Sequence, residues 1–596
     1  MTADVTLVHA APSERPTGSI VIALTPTAMD GCRRLGVDPL TLDDIIDRSS
    51  VLPADEYTTW QLRWLRELDE VANADGAVRA AAHLLKTPVD SAVVASRILA
   101  AAVEALQPSS VEFVGPTGIR DRDPLHNGHL QFRPTLGDLP LYGRALETVA
   151  RHRGIEFHVV TGFCPAELQP TRSRLGSALS RAARATAPIR HFDALTTSRR
   201  GSSTTLLLWS GGYGARAVVE GERARGRRVL ALRRGSTITQ LLDPRPLGWT
   251  PVTGAVPVAP LPPLGRVAED RSRVDLDHIW SQVDDWCRSP GIASSVLEER
   301  MSAFLDRIVP VIKDASETLE GDLADQAVAD VMVANPSSIE EFAILLAAGR
   351  RGITRTLVQH GDHLFPYDGW LVTETNNVER MWCSDPTLLV DLPEAARRHG
   401  AAAPVTTTSA HRQLPRRMQI RPSGTVCYVT SLLAGDSATI PPMYFDDAWY
   451  HRWQLRLLAA MAARSDAKFV WKALPTADQS RDTILDVVRA TPNVTLETRP
   501  FTSVLGTVSR VMTDFPSTAA FEAARAGLPL LVISFPRFGE LRPRAVEAFG
   551  GVVRSCQSEE DAIREFAGFL ASPAAKWIVS QAGLEDPPSD NARRGS

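Results

Sequence analysis

With 596 residues, 44% hydrophobic and 22% charged, the chain has the composition of an ordinary globular protein and is too long for one hydrophobic core. A formal net charge of −4 points away from wholesale nucleic-acid binding, and no stretch reads as a signal peptide or membrane span, so a cytoplasmic location is expected. The six cysteines (Cys32, Cys164, Cys287, Cys383, Cys427, Cys556) lack paired spacing and read as buried thiols, neither a disulfide framework nor a zinc site.

In chain order, residues 1–17 lack periodicity and read as a loose tail. Strand signals at Ser19–Leu24, Val111–Val114 and Ile155–Val160 alternate with helical ones, including a Trp- and Leu-rich stretch around Trp60–Leu68 and an Ala-rich helix from Ala92 to Leu106. Residues 18–165 are therefore expected to form an N-terminal α/β accessory domain. Within it, Asp123, His126 and His129 have metal-ligand chemistry, but Pro124, Asn127 and Gly128 make the segment a loop, which favours a solvated turn. Within the linker 166–202, residues 171–200 are basic: Arg172, Arg174, Arg181, Arg184, Arg190, Arg199 and Arg200 stand against one acid, Asp193. It reads either as a solvated connector or as a helix lying on an anionic membrane surface.

A second α/β pattern begins at Thr204, whose strand runs into the tight turn Gly211-Gly212-Tyr213-Gly214. These glycines let a ligand approach the backbone and form the floor of a cleft, but the dinucleotide-binding spacing is absent. Helices are expected over 276–319 and strands at Val328–Ala334, Ile353–Val358, Trp370–Thr373 and Leu388–Val390. The strand 353–358 delivers Gln359-His360-Gly361-Asp362 at its carboxyl end. Residues 203–395 thus make a first Rossmann-like domain, and the Arg-, Pro- and Thr-rich stretch 396–422 a linker. From 423 to 580, strands at Val426–Thr430, Lys468–Trp471, Val494–Glu497, Arg510–Thr513, Leu530–Ile533 and Val552–Arg554 alternate with helices, which predicts a second parallel, doubly wound domain. Residues 581–596 read as a tail.

The most informative stretch is Arg510–Phe535, a strand, turn, helix and strand. Pro516 suits a first helical turn, Ser517 or Thr518 can cap it, Ala520, Ala523 and Ala524 recur at helical spacing, and Gly527 stops it. A helix N-terminus at the carboxyl end of a strand is where α/β sheets hold anions. The stretch is read as a phosphate-binding corner for a nucleotide or as the plain strand-to-helix corner that any Rossmann-like unit makes. Glu522, on the same helix, can accept from ribose hydroxyls or be a plain surface acid. Lys472, at another strand end, can reach a phosphate as a point charge or be a surface lysine. His360 can act as a general base, with Asp362 orienting it and Gly361 leaving room, or be a strand-end histidine bonded to backbone.

Together TLVQHGD (356–362) and VMTDFPSTAAFEAARAGLP (511–529) resemble the GT-B-fold glycosyltransferases of bacterial capsule and surface polysaccharides and, in motif, the CDP-glycerol glycerophosphotransferases. The resemblance spans 203–580 and implies two facing Rossmann-like domains. It implies His360 as base on the acceptor hydroxyl, Ser517 and Thr518 on donor phosphate, and Asp514 shaping their turn. Those families carry a His-Pro pair where this chain has Lys472-Ala473-Leu474-Pro475, which implies that Lys472 supplies the charge, that the donor differs, or that the activity is altered. The implied function is transfer of a sugar from a nucleotide donor to an envelope or exported glycan, on a lipid-linked or glycan acceptor, without metal or other cofactor. Polyol-phosphate transfer, nucleotide-sugar epimerisation and non-catalytic binding are the alternatives.

Overall fold

The computed structural model describes residues 4–51, 53–116, 125–126, 129–130, 141–162, 204–208, 228–232, 251–252, 276–325, 328–333, 336, 339–359, 371–383, 385, 387–408, 424–431, 446–473, 483–514, 517–539 and 541–580. Their strands form three parallel sheets and one small hairpin. The N-terminal sheet is built from β1 (Val5–Val8), β2 (Ile20–Ala23), β3 (Ser110–Pro116) and, after the hairpin β4 (Leu125–His126) and β5 (His129–Leu130), β6 (Glu156–Gly162). Its order is β2-β1-β3-β6.

The second sheet comprises β7 (Thr204–Leu208), β8 (Arg228–Leu232), β9 (Pro251–Val252), β10 (Val328–Val333), β11 (Thr354–Val358), β12 (Arg380–Cys383) and β13 (Val405–Thr408), in the order β13-β12-β11-β10-β7-β8-β9. The third comprises β14 (Thr425–Val429), β15 (Lys468–Lys472), β16 (Val494–Glu497), β17 (Arg510–Thr513), β18 (Leu530–Ser534) and β19 (Val553–Ser555), in the order β16-β15-β14-β17-β18-β19. Counted from its own first strand, each reads 3-2-1-4-5-6, the doubly wound order, with a seventh strand added to the second sheet. The strand order reverses between β7 and β10 in one sheet and between β14 and β17 in the other. Ligands of such sheets bind beyond the carboxyl ends of the strands at these reversals. The α/β class with two Rossmann-like units is therefore what the topology shows.

Several boundaries differ from those expected. The supposed tail 1–17 contains β1, which lies inside the N-terminal sheet with Val5 in register with both Ile20 and Val111. Four residues buried on both faces carry no alternation and so give no strand period in the sequence. Leu388–Val390 is not a strand but the start of helix Leu388–Arg398, and Leu371–Thr375 is a single wide helical turn. Short apolar runs do not distinguish buried strand from buried helix, and Pro393 inside the helix disguised its length. The linker expected over 396–422 begins with the end of that helix and contains β13, which completes the second sheet. His126 and His129, read as a loop, face each other in backbone register across the β4–β5 hairpin, while Asp123 lies outside the described residues.

The N-terminal residues do not form a separate body. One buried core runs from Val5 to Ala396: Trp64, Leu68, Val89 and Ile98 from the N-terminal helices join Ile279, Phe304, Phe342 and Leu357 of the second unit. Trp64 Nε1 donates to the Ile279 carbonyl at 3.3 Å, and Asn377 Nδ2 to the Arg79 carbonyl at 2.6 Å. The third sheet has its own core, centred on Trp453, Trp471, Val511 and Leu531.

The same N-terminal residues also grip the third unit. Arg452 on helix Asp447–Ala462 donates to both oxygens of Asp44, at 2.6 and 2.8 Å, and to Glu559 at 3.0 Å. Buried His451 sits 3.0 Å from Asp30. Arg48 pairs with Asp43 at 3.0 Å, in the buried seam where Asp446 caps the same helix. Burial, with the Asp43 charge adding to it, holds the Asp446 carboxyl well above its ordinary pKa.

Candidate functional site

The third sheet supplies the best-defined site. Strand β17 is an apolar run with Val511 and Met512 buried against neighbouring strands, and it ends at Asp514. This carboxylate is 1% exposed and sits at the strand-order reversal. Tyr428 Oη donates to it, as do Trp453 Nε1 at 2.8 Å and Tyr450 Oη at 3.1 Å. Tyr450 Oη in turn accepts the Ser431 N–H at 2.7 Å. One carboxylate thus ties together the end of β17, helix Asp447–Ala462 and the end of β14. Burial pushes the Asp514 carboxyl up to about 6 against the pull of its three donors, and burial raises Tyr428 and Tyr450 well above the ordinary phenol value.

Helix Thr518–Arg525 follows. Ala520, Ala523 and Ala524 are buried on its sheet-facing side, Phe521 meets Phe549 edge-on at 4.9 Å, and Gly527 turns out of it at φ 72°. Ser517 takes the N-cap position with extended backbone (φ −121°, ψ 176°), yet its hydroxyl makes no capping bond to the helix. The leading N–H groups of a helix lack intrahelical partners. With a half-buried Ser517 and Thr518 beside them, they form a donor-rich end. Glu522, expected on the ligand face, is only 6% exposed.

Lys472 ends β15 and is 2% exposed. It stands in register with Val429 on one side and Glu497 on the other. Glu497 is taken up by Arg499, whose Nε lies 3.1 and 2.9 Å from its two oxygens. Among the described residues the Lys472 ammonium has the Ala473 carbonyl as its hydrogen-bond acceptor. Burial lowers its pKa from the ordinary lysine value. Strands β15 and β17 flank β14, so with about 4.8 Å between neighbours their ends lie about 10 Å apart. A lysine side chain and a helix N-terminus at that spacing can share one diphosphate.

In the second sheet the described residues reach Gln359, whose N–H donates to the Trp382 carbonyl at 2.9 Å and whose side chain is buried. His360, Gly361, Asp362 and the turn Gly211, Gly212 and Gly214 lie outside the described residues, as does the basic linker. Asp514, Ser517, Thr518 and Lys472 are gathered around one sheet edge. The aromatic donors Tyr428, Tyr450 and Trp453 escaped the sequence reading. The signal was faint: two aromatics three apart near a helix start, and a tyrosine in an apolar strand. Among the described residues, no group of three or more His, Cys, Asp or Glu could hold a metal, and no helix is long and apolar enough to cross a membrane.

Fold and sheet edges together define an α/β protein with two doubly wound parallel sheets. No protein-family model and no curated protein matches the chain. Solved structures do resemble it in arrangement. UDP-N-acetylglucosamine 2-epimerase from Rickettsia bellii matches at 13% identity and a TM-score of 0.37, over 64% of this chain and 94% of that one. MurG of Acinetobacter baumannii matches at 12% identity and 0.35, over 64% and 94%. A UDP-glucosyltransferase from Polygonum tinctorium matches at 12% and 0.36, over 65% and 94%.

Proposed function

We propose that the protein is a GT-B-type transferase that moves a sugar from a nucleotide-activated donor to a cell-envelope or exported glycan, free or lipid-linked. The observation that carries this reading is the buried Lys472 ammonium beside the strand-order reversal of the third sheet, with the donor-rich end of helix Thr518–Arg525 on the other side of it. Burying a cation is costly unless something compensates it. A bound diphosphate would do so.

In this mechanism His360 accepts the proton of the acceptor hydroxyl, whose oxygen forms a bond to the donor's anomeric carbon. The bond from that carbon to the diphosphate oxygen breaks, and the electron pair leaves with the nucleotide. Ser517, Thr518, the helix end and Lys472 stabilise the growing negative charge, the term that dominates such transfers. Asp362 orients His360, the glycines Gly211, Gly212, Gly214 and Gly361 line the cleft, Asp514 shapes the turn before the helix, and Glu522 serves the ribose. The charge for departure comes from side chains and helix, with no metal ion or other cofactor in the scheme. The arginine-rich segment 171–200 supplies peripheral contact with an anionic membrane carrying the acceptor.

A thermal-shift screen with CMP, CDP, UDP, GDP and their sugar or glycerol conjugates tests the reading. One nucleoside diphosphate and its sugar conjugate should raise the melting temperature. His360→Ala should then abolish turnover while leaving that shift intact. Near-normal turnover in His360→Ala removes the base, and a response confined to CDP-glycerol moves the chemistry to phosphorus. Lys472→Met gives a second signature: weakening of nucleotide binding by about tenfold to a hundredfold, together with an apo melting temperature equal to or above that of the wild type. A surface lysine would show neither change.

A further inference from the structure

Among the described residues, a buried arginine joins the two Rossmann-like units. Arg542 caps helix Pro543–Phe549 of the third-sheet unit and is 4% exposed. Its Nη2 donates to Asp385 Oδ2 at 2.6 Å, and its Nη1 to Asp391. Both carboxylates belong to the second-sheet unit, at the start of helix Leu388–Arg398. Asp385 is fully buried and already engaged on its other oxygen, which accepts the Thr387 N–H at 2.9 Å and the Thr387 hydroxyl at 2.7 Å. The backbone N–H of Asp385 in turn donates to Gln359 Oε1 at 3.4 Å. Gln359 follows the last residue of β11 and is itself fixed to Trp382 by its backbone. A single chain of hydrogen bonds therefore runs from the unit that carries Lys472 and helix Thr518–Arg525 to the ligand-side end of β11. Nearby, the exposed Arg544 pairs with Glu394 at 2.9 Å and also donates to the other oxygen of Asp391.

A buried guanidinium that donates through separate nitrogens to the fully buried Asp385 and the half-buried Asp391 fixes both distance and angle, which a surface pair does not. The strand end it reaches immediately precedes His360. We propose that Arg542 is a positioning residue: through Asp385 and Gln359 it sets the β11 end against the nucleotide corner of the other unit. This deepens the transferase reading and rests on it only for what the held strand end does. The coupling itself is a statement about the two units.

The test uses the full chain and the variants Arg542→Gln and Glu394→Gln. In Arg542→Gln, amide exchange at 357–359 and 387–391 should speed up by about tenfold or more, while the nucleotide-induced melting shift stays as in the wild type. Turnover should fall by about tenfold to a hundredfold with donor KM changed by no more than about twofold, the pattern of misplacement without loss of binding. Glu394→Gln, which removes one partner of Arg544 and leaves the Arg544 and Arg542 bonds to Asp391 and the Arg542 bond to Asp385 in place, should change none of these. Should Arg542→Gln fail to fold, Arg542→Lys keeps the charge but loses the two-pronged hold, and should show the same exchange pattern in milder form. Unchanged exchange at 357–359, or loss of the nucleotide shift along with it, overturns the proposal. If the wild type transfers no sugar from any donor, the transferase reading falls and the exchange data still decide the coupling.

Discussion

Removing residues 1–165 is expected to leave a chain that does not reach a cooperative folded state. The N-terminal sheet and helices share a core with the second sheet, so the cut passes through packed side chains and not through a linker. The elements that pack against the N-terminal helices carry Ile279, Val283, Val296, Leu297, Leu371 and Val372, all buried. Exposing a large aliphatic side chain costs about 1.5–3 kcal/mol. Six of them amount to about 9–18 kcal/mol, the same order as the whole net stability of a domain. Partners of buried polar groups go as well, among them Trp64 for the Ile279 carbonyl. The fragment 166–596 should be insoluble, or soluble with dye-accessible apolar surface and no sharp calorimetric transition for its first unit. By contrast the fragment 420–580 keeps its own core and should melt cooperatively. A sharp first-unit transition in 166–596, near the full-length melting temperature, would show that the N-terminal residues are an accessory after all.

The third sheet is readable in the sequence because most of its strands are short runs rich in apolar residues followed by a helix. Gly527 at positive φ and Ser517 at the N-cap are local features, fixed by residues within a turn of one another. What escaped was non-local. The donors to Asp514 come from 61 to 86 residues away, and Arg542 lies 157 residues from Asp385. No periodicity records such pairings. The shared core escaped for another reason: helix Ala82–Leu106 is apolar or small on nearly every face, as a helix packed on all sides must be, so its sequence does not say which neighbours cover it. Strand β1 shows no alternation because its four residues are all buried, and helix Leu388–Arg398 has an apolar start that strand and helix share.

Asp514 is expected to be the most sensitive single position in the third-sheet unit. Asp514→Ala would strand three buried donors, the hydroxyls of Tyr428 and Tyr450 and the Trp453 indole N–H. Each unsatisfied group costs about 1–3 kcal/mol, so the variant should lose several kcal/mol and with it most of the unit's stability. Asp514→Asn should be milder and more telling. The aspartate oxygen that accepts from both Tyr428 and Trp453 would give way to an amide, or the amide would turn and abandon Tyr450.

The acid also titrates where the amide cannot. Its folded-state pKa of about 6 stands above the ordinary 3.8, so the folded chain holds this proton more tightly than the unfolded one. The resulting stabilisation, about 3 kcal/mol, is present in full below pH 3.8 and is lost as pH rises through about 6. Denaturant midpoints measured from pH 4 to 7 should therefore fall more steeply for the wild type than for Asp514→Asn. Parallel slopes would mean that Asp514 stays ionised throughout, held by its three donors and not governed by burial. Because the same carboxylate fixes the β14 and β17 ends, the nucleotide-induced melting shift should shrink in Asp514→Asn even where the protein remains folded.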